Sequence, residues 1–478
     1  MKLFKDYAVL AGGQVAGKIV AFLAFAWLAR VLDPVGYGAV EYVVGLTLFF
    51  STLIDGGLGV IGVRRSAHDP AALPTLAFQI RIARLFLALI AVPIMVLLAS
   101  TMKSAAPLIL VWLFALSLLT LPWRQEWLLQ ATERMADAAL AQFLRMAAFA
   151  VLVFTLVDRP QQLVAVGWAE LGAAALMSAY CVYIVHTRVA PLSARGSMKG
   201  FPALLTEGTA VGAGNIAWAM NLYAPLFLIG TFIGGTQTAW FAAASRVIGS
   251  LLVFSYVYHY SLYPAVTRAT ARKDGELARL LAGSCRVTAW AGVLAALALT
   301  LLAEPLIVVA LGAKMAPAAP MLQVMAWMLP VALCSGHARW SLAAAGLQTR
   351  VLGSQAGGLA TTVVVALLVG PRMGGPGYAI AALAGFVAVW GTAHGFAARA
   401  GLTPPPLRLL LLPALVAAAI AVAHAHFGWG PWGAIAGVAL FALSVPLVDR
   451  RFIADMKALG HAKLARGGSM PVRSDPDA

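Results

Sequence analysis

Long apolar segments separated by short polar turns recur along the whole chain. A helix needs roughly 20 apolar residues to cross a hydrocarbon layer about 30 Å thick. Fourteen segments meet this length, whereas the alternating strands of a membrane barrel are absent. The pattern therefore predicts an all-α polytopic membrane protein with about fourteen transmembrane helices. The segments are 7–31, 39–63, 75–100, 106–130, 138–157, 163–187, 203–232, 238–263, 280–303, 318–345, 350–369, 376–398, 408–425 and 430–448.

Composition supports this prediction, and charge orients the chain. The sequence is 62% hydrophobic and 11% charged, whereas soluble proteins carry about 25% charged residues. With the N-terminus in the cytoplasm, 21 of the 34 Lys and Arg residues fall on the cytoplasmic side, 5 opposite and 8 inside segments. This asymmetry predicts that both termini are cytoplasmic. Because the net charge of +16 is spread over short loops, we do not expect nucleic-acid binding.

The two halves of the chain resemble repeats. Ala8-Val9 precedes Gln14 in the first half, and Ala210-Val211 precedes Asn215 in the second. Six segments per half keep both copies in one orientation, so a pseudo-twofold axis would run along the membrane normal. We therefore predict an N-terminal lobe, a C-terminal lobe, an extra helix pair and a basic cytoplasmic tail, over residues 1–200, 201–400, 401–449 and 450–478.

The first apolar segment contains Lys18, four residues after Gln14 and on the same helical face. Lys18 lies ~16 Å along the segment, near the middle of the hydrocarbon layer. An ammonium group there costs at least ~2.5–3.5 kcal/mol, so it should face protein or water rather than lipid.

Other charged residues also lie inside apolar segments. Cations at the cytoplasmic half or midplane would attract a phosphate, since Arg and Lys both bind such groups strongly in a low dielectric. Structural ion pairing is the alternative for each of them, and we expect it for Arg124, while Arg286 is close enough to its helix end to reach water. The predicted substrate-binding residues are Gln14, Lys18, Arg81, Arg84, Arg145, Asn215, Arg246 and Arg339. Asp55, Glu126, Glu170 and Glu207 are candidates for ion coupling or charge pairing.

Motifs of the common catalytic classes are missing from the sequence. It contains no Walker A loop, no His-Glu-x-x-His and no Gly-x-Ser-x-Gly. Cys181, Cys285 and Cys334 all fall inside apolar segments, as small buried residues do. We therefore expect a transporter rather than an enzyme, with no cofactor and no metal.

Three stretches carry a family resemblance. Trp27-Leu-Ala-Arg-Val-Leu-Asp-Pro-Val-Gly-Tyr-Gly38 resembles the "ARxLGPxxYG" segment of the Wzx-type oligosaccharide flippases, a polysaccharide transport family. Asp55-Gly-Gly-Leu-Gly59 with Arg64, Arg65 and Ala67 resembles their "DxGLxxxxxRxxA" element, and the stretch 240–248 their "YxxAxRl" segment. Asp33 replaces a common glycine and Trp240 a tyrosine. The chain thus resembles the multidrug/oligosaccharidyl-lipid/polysaccharide exporter (MOP) superfamily.

This resemblance implies a bacterial inner-membrane flippase. Its substrate would be an undecaprenyl-diphosphate-linked oligosaccharide for O-antigen, capsule or exopolysaccharide, moved by alternating access through a cationic cavity. We expect a monomer that contacts membrane lipid and works beside a polysaccharide polymerase. A lipid II flippase, a multidrug exporter with an acidic ion-binding centre and a membrane glycosyltransferase remain as alternatives. The glycan and the coupling ion stay open.

Overall fold

The computed structural model describes residues 2–100, 103, 106–189, 196–272 and 275–464, and within these it leaves out the side chains of 2–11, 14, 210 and 459–464. The described residues form nineteen α-helices and no strand. The helices are α1 (Lys2–Val31), α2 (Pro34–Asp55), α3 (Leu58–His68), α4 (Leu73–Ser100), α5 (Leu108–Ser117), α6 (Glu126–Ala131), α7 (Met135–Leu156), α8 (Leu163–Arg188), α9 (Phe201–Phe232), α10 (Gly235–Arg272), α11 (Glu276–Leu301), α12 (Ala303–Leu311), α13 (Ala319–Met325), α14 (Met328–Ala344), α15 (Gln348–Met373), α16 (Gly375–Arg399), α17 (Leu411–Phe427), α18 (Pro431–Val448) and α19 (Arg450–Leu464).

The predicted apolar segments lie on these helices, although 39–63, 106–130 and 318–345 are each divided between two of them. Twelve helical stretches of the described residues are long and apolar enough to cross a membrane. The predicted segments 7–31 and 203–232 lie on α1 and α9, which have 30 and 32 residues and would extend about 45 and 48 Å. The all-α membrane fold is therefore confirmed.

One predicted segment, 39–63, is a helix broken in its middle. Gly56 and Gly57 adopt positive φ angles of 50° and 75° between α2 and α3, a conformation that side chains rarely tolerate. A Cβ on Gly57 would also lie 2.8 Å from the carbonyl oxygen of Gly208 on α9. The break thus needs glycine for its backbone angle and for a close helix approach.

The chain divides into two compact units, one formed by 1–250, 303–325 and 352–389, the other by 251–302, 326–351 and 390–478. In the first unit, α3, α4, α6 and α8 bury a core that includes Leu58, Ile80 and Trp127. In the second, the extra helix pair α17–α18 packs on α11, where the rings of Trp290 and Phe441 lie 5.3 Å apart. The predicted boundaries of the two lobes stay a prediction.

The start of the basic tail forms the helix α19, and the part beyond residue 464 lies outside the described residues. Arg286 on α11 donates hydrogen bonds of 2.9 Å to Asp449 and to Asp455. Burial raises the pKa of Asp449, but hydrogen bonds from Arg286 and Trp290 outweigh this effect and lower it overall. Arg286 is therefore paired with carboxylates, and these hydrogen bonds hold the start of α19 against α11.

Candidate functional site

Helices α2 and α3 lie against α9 along most of their length, all within the first unit. The rings of Tyr42 and Phe227 lie 6.0 Å apart, and a Cβ on Gly45 would meet Leu226 at 3.0 Å. At the far end, Gly57 contacts Gly208. We call this contact of α2 and α3 with α9 the α2–α9 seam. It joins the first half of the sequence to the second, and an ion pair lies near each of its ends.

The buried ion pair, Glu41 with Arg246, joins α2 to α10. Arg246 binds both carboxylate oxygens of Glu41, with its Nε 2.5 Å from Oε1 and a terminal nitrogen 2.6 Å from Oε2. The Tyr37 hydroxyl donates to the same carboxylate at 2.6 Å, and the guanidinium carbon lies 3.4 Å from the ring centre of Phe25 on α1. Glu41 is only 5% exposed. Three helices therefore meet at a two-point charge pair shielded by aromatic rings.

Two of the three stretches that resemble the flippase family meet at the buried ion pair. Tyr37 and Gly38 belong to the first stretch, and Ala239 and Arg246 lie just before and within the third. A Cβ on Gly38 would lie 2.9 Å from the backbone nitrogen of Ala239. The small residues at these positions thus allow the backbone contact that brings Glu41 and Arg246 together.

Sequence reasoning missed Glu41, which lies close to the start of its apolar segment. The available signal was its spacing, because Tyr37 and Glu41 are four residues apart and share a helical face. Its partner Arg246, 205 residues away, could not be identified from spacing.

The exposed ion pair, Glu207 with Arg64 and Arg65, joins α3 to α9 at the other end of the seam. Arg64 and Arg65 each donate to one oxygen of Glu207, at 2.7 and 2.6 Å. Their side chains are 57% and 27% exposed, and that of Glu207 is 40% exposed. Glu41 lies near the start of α2 and Arg65 near the end of α3, so the two pairs lie near opposite ends of the seam, with the glycine break between them.

Arg84 and Arg81 on α4 have different surroundings. Arg84 forms a salt bridge with Asp55 at the end of α2 and donates to the carbonyl oxygen of Arg124 at 3.0 Å. This contact explains the acidic residue that precedes Gly56 in the second family-like stretch. Arg81 lies over the ring of Trp123, 5.3 Å from its centre.

A second buried pair links α7 and α8. Arg145 and Glu170 form a salt bridge, with side chains 14% and 8% exposed. Glu126 accepts a hydrogen bond of 3.4 Å from Gln142, and Arg124 lies within electrostatic range of Arg145, Glu126 and Glu170. Arg145 is thus paired with a carboxylate, whereas Arg124, for which we expected an ion pair, forms none with the described residues, and its buried Nε has no hydrogen-bond partner there.

Lys18 differs from these arginines because it is exposed and forms no hydrogen bond or ion pair with the described residues. Helix α1 packs on α7 through Gly13 and Gly17, which face Ala139 and Met146. Lys18 projects away from that contact, two turns before Phe25 and on nearly the same face. It therefore lies ~10 Å along α1 from the buried ion pair.

The remaining predicted residues are Asn215, Gln14 and Arg339. Asn215 on α9 is exposed, and the side chain of Gln14 is outside the described residues. Arg339 belongs to the second unit, where its Nε is buried without a hydrogen-bond partner among the described atoms. The structure thus brings most of the predicted charged residues into the first unit as ion pairs, and their role in substrate binding stays a prediction.

Metal-binding side chains do not cluster in the part of the chain that the structure describes. It contains no group of three or more His, Cys, Asp or Glu side chains placed to hold a metal ion. The three cysteines are buried and unbonded.

Residues 3–270 match the family model described as "Polysaccharide biosynthesis protein". A comparison with curated proteins finds no sequence match.

Solved structures of transporters share the fold of this chain. The lipid II flippase MurJ in an inward closed conformation superposes with a TM-score of 0.74 at 12% identity, covering 93% of this chain and all of MurJ. An inward-facing multidrug resistance MATE family transporter of the MOP superfamily gives a TM-score of 0.65 at 16% identity, covering 80% of this chain and 94% of that one. A MOP superfamily transporter from Pyrococcus furiosus gives 0.54 at 15% identity, covering 83% and 95%. The superfamily fold predicted from the sequence is confirmed.

Proposed function

The chain belongs to the polysaccharide biosynthesis protein family, and from this premise we propose that it is a flippase for a lipid-linked oligosaccharide. The substrate would be an undecaprenyl-diphosphate-linked repeat unit of O-antigen, capsule or exopolysaccharide. The family and the MOP fold support transport of such a molecule across a bacterial inner membrane.

Lys18 is the observation that carries this proposal. Arg84, Arg145 and Arg246 are all bound to carboxylates, so their charges are already compensated. The exposed ammonium of Lys18 has no such counter-charge among the described residues. An uncompensated charge this deep in an apolar helix is costly, so its presence there indicates a function. A diphosphate offers the opposite charge, and an ammonium binds it as a point charge without a fixed geometry.

The two ion pairs at the ends of the α2–α9 seam support alternating access. With the N-terminus in the cytoplasm, the buried ion pair would close the outer side and the exposed ion pair the cytoplasmic side. Breaking one pair while keeping the other would open one side at a time. We include this orientation, with both termini cytoplasmic, in the proposal.

The first test is complementation of defined flippase-null strains, with the surface glycan as the readout. We expect the wild-type chain to restore one glycan, and Lys18→Ala to insert normally but export none of it. Lys18→Arg, which keeps the charge, should retain part of the export. Ile19→Ala is the matched control, since Ile19 is the next residue and is 58% exposed. Normal surface glycan in Lys18→Ala would refute the role of Lys18.

A lipid II flippase is the second candidate, favoured by the likeness to MurJ over 93% of the chain. The same plasmids introduced into a MurJ-depleted strain separate the two functions. Rescue of growth there, without rescue of any surface glycan, would assign the chain to peptidoglycan synthesis instead.

A further inference from the structure

The second unit contains a cluster of aromatic side chains to which the proposed function has so far assigned no role. Tyr256, Tyr260 and Tyr263 are four and three residues apart on α10, so they share one helical face. Trp340 on α14 packs against all three rings, with centre-to-centre distances of 6.1, 6.4 and 5.2 Å. We call these four residues the aromatic platform.

The aromatic platform presents ring surface outward rather than filling a core. Tyr256 and Tyr260 are 61% and 48% exposed. Their rings are stacked at 6.0 Å with planes only 21° apart, so they offer one nearly continuous surface. Trp340 supports this surface from the neighbouring helix and fixes its orientation.

We propose that the aromatic platform is a sugar subsite for the oligosaccharide part of the substrate, an inference that rests on the proposed flippase function. A pyranose ring has a face of C–H groups that packs on an aromatic ring and a rim of hydroxyl groups that pair with phenols. Tyrosine provides both an apolar face and a polar tip. Ligand sites typically combine aromatic walls with a few polar groups in this way.

The aromatic platform differs from the adjacent strip of α10, whose side chains are typical of a lipid-facing surface. Phe254 and Val257 are 63% and 51% exposed and lack hydrogen-bonding groups, as lipid contact requires. The tyrosines of the platform instead occupy the strip that packs against Trp340 on α14. Tyr258, on another face of α10, instead hydrogen-bonds Ser284 of α11, so the exposed tyrosines form one strip beside α14.

The test is binding of lipid-free oligosaccharides to the purified full chain in lipid nanodiscs, measured by calorimetry. The probes are repeat units released from the O-antigen, capsule and exopolysaccharide of the complementation strains. We expect Tyr256→Ala/Tyr260→Ala to weaken binding of the preferred oligosaccharide about tenfold, since each ring contact contributes a few-fold. Tyr256→Phe/Tyr260→Phe should keep most of the affinity because it keeps the rings.

Two control variants make the outcome decisive. Phe254→Ala/Val257→Ala removes exposed apolar surface from the same helix and should leave the affinity unchanged. Lys18→Ala should also bind the lipid-free oligosaccharide normally, because this probe has no diphosphate. Equal affinity in wild-type and Tyr256→Ala/Tyr260→Ala, or equal loss in the Phe254 and Val257 control, would overturn the sugar subsite. Failure of the wild-type chain to restore any surface glycan would instead refute the flippase function, and the two results are independent.

Discussion

The two ion pairs of the α2–α9 seam have the same chemistry but different surroundings. Glu41 is buried, Arg246 is largely shielded at 19% exposure, and the pair contacts Tyr37 and Phe25. Glu207 is shared by Arg64 and Arg65, and all three side chains are partly or largely exposed. One end of the seam should therefore be much harder to open than the other.

Solvation explains this asymmetry. Exposed ion pairs contribute roughly 0–1 kcal/mol, because water and salt replace the partner when the pair separates. Separating a buried pair leaves two charges in a low dielectric, and removing one partner typically costs about 3–5 kcal/mol. With the orientation proposed above, the cytoplasmic end should therefore open first, as a carrier that collects its substrate from the cytoplasm requires.

The largest effect should come from locking the exposed end shut. Arg65→Cys/Glu207→Cys, treated with a cleavable bifunctional thiol reagent, should lose all glycan export and regain it when the link is reduced. The two single-cysteine variants are the controls, and the three native cysteines are buried. Export that continues in the linked protein would mean that this end does not open during transport.

The next largest effect should come from removing one charge of the buried ion pair. Glu41→Gln leaves Arg246 without a counter-charge and should lower the free energy of unfolding by about 3–5 kcal/mol. Denaturation in detergent measures this loss, and the charge-swapped Glu41→Arg/Arg246→Glu should recover part of it. A loss no greater than that of Glu207→Gln would contradict the comparison.

The sequence predicted the fold well because apolar length is a local property. Each apolar segment can be recognised without its neighbours, but the apolar pattern predicted 39–63 as one continuous helix, and the structure divides it at Gly56 and Gly57. The structure adds the reason for this break, since Asp55 binds Arg84 and Gly57 admits the backbone of Gly208. Local signals therefore identified the elements, whereas the break depends on contacts with distant helices.

Charge pairing was much less predictable, because it depends on contacts between distant segments. Arg246 is visible as an intramembrane cation, but its carboxylate lies 205 residues away. Arg145 likewise finds Glu170 on the next helix. Counting cations alone suggests a strongly positive interior, whereas the structure compensates several of them and leaves Lys18 exposed. The role of the predicted residues in substrate binding stays a prediction, and Lys18 is the position at which mutation tests it.

The smallest effect should come from Glu207→Gln, the matched change at the exposed end. We expect only a small loss in the free energy of unfolding at low salt, because these side chains are already hydrated. Raising the salt to 1 M shortens the screening length to ~3 Å, so wild-type and Glu207→Gln should become indistinguishable. The deficit of Glu41→Gln should persist under the same conditions, since salt cannot reach a pair beneath Phe25 and Tyr37. Disappearance of both deficits at high salt would show that the two ends of the seam are equally accessible to water.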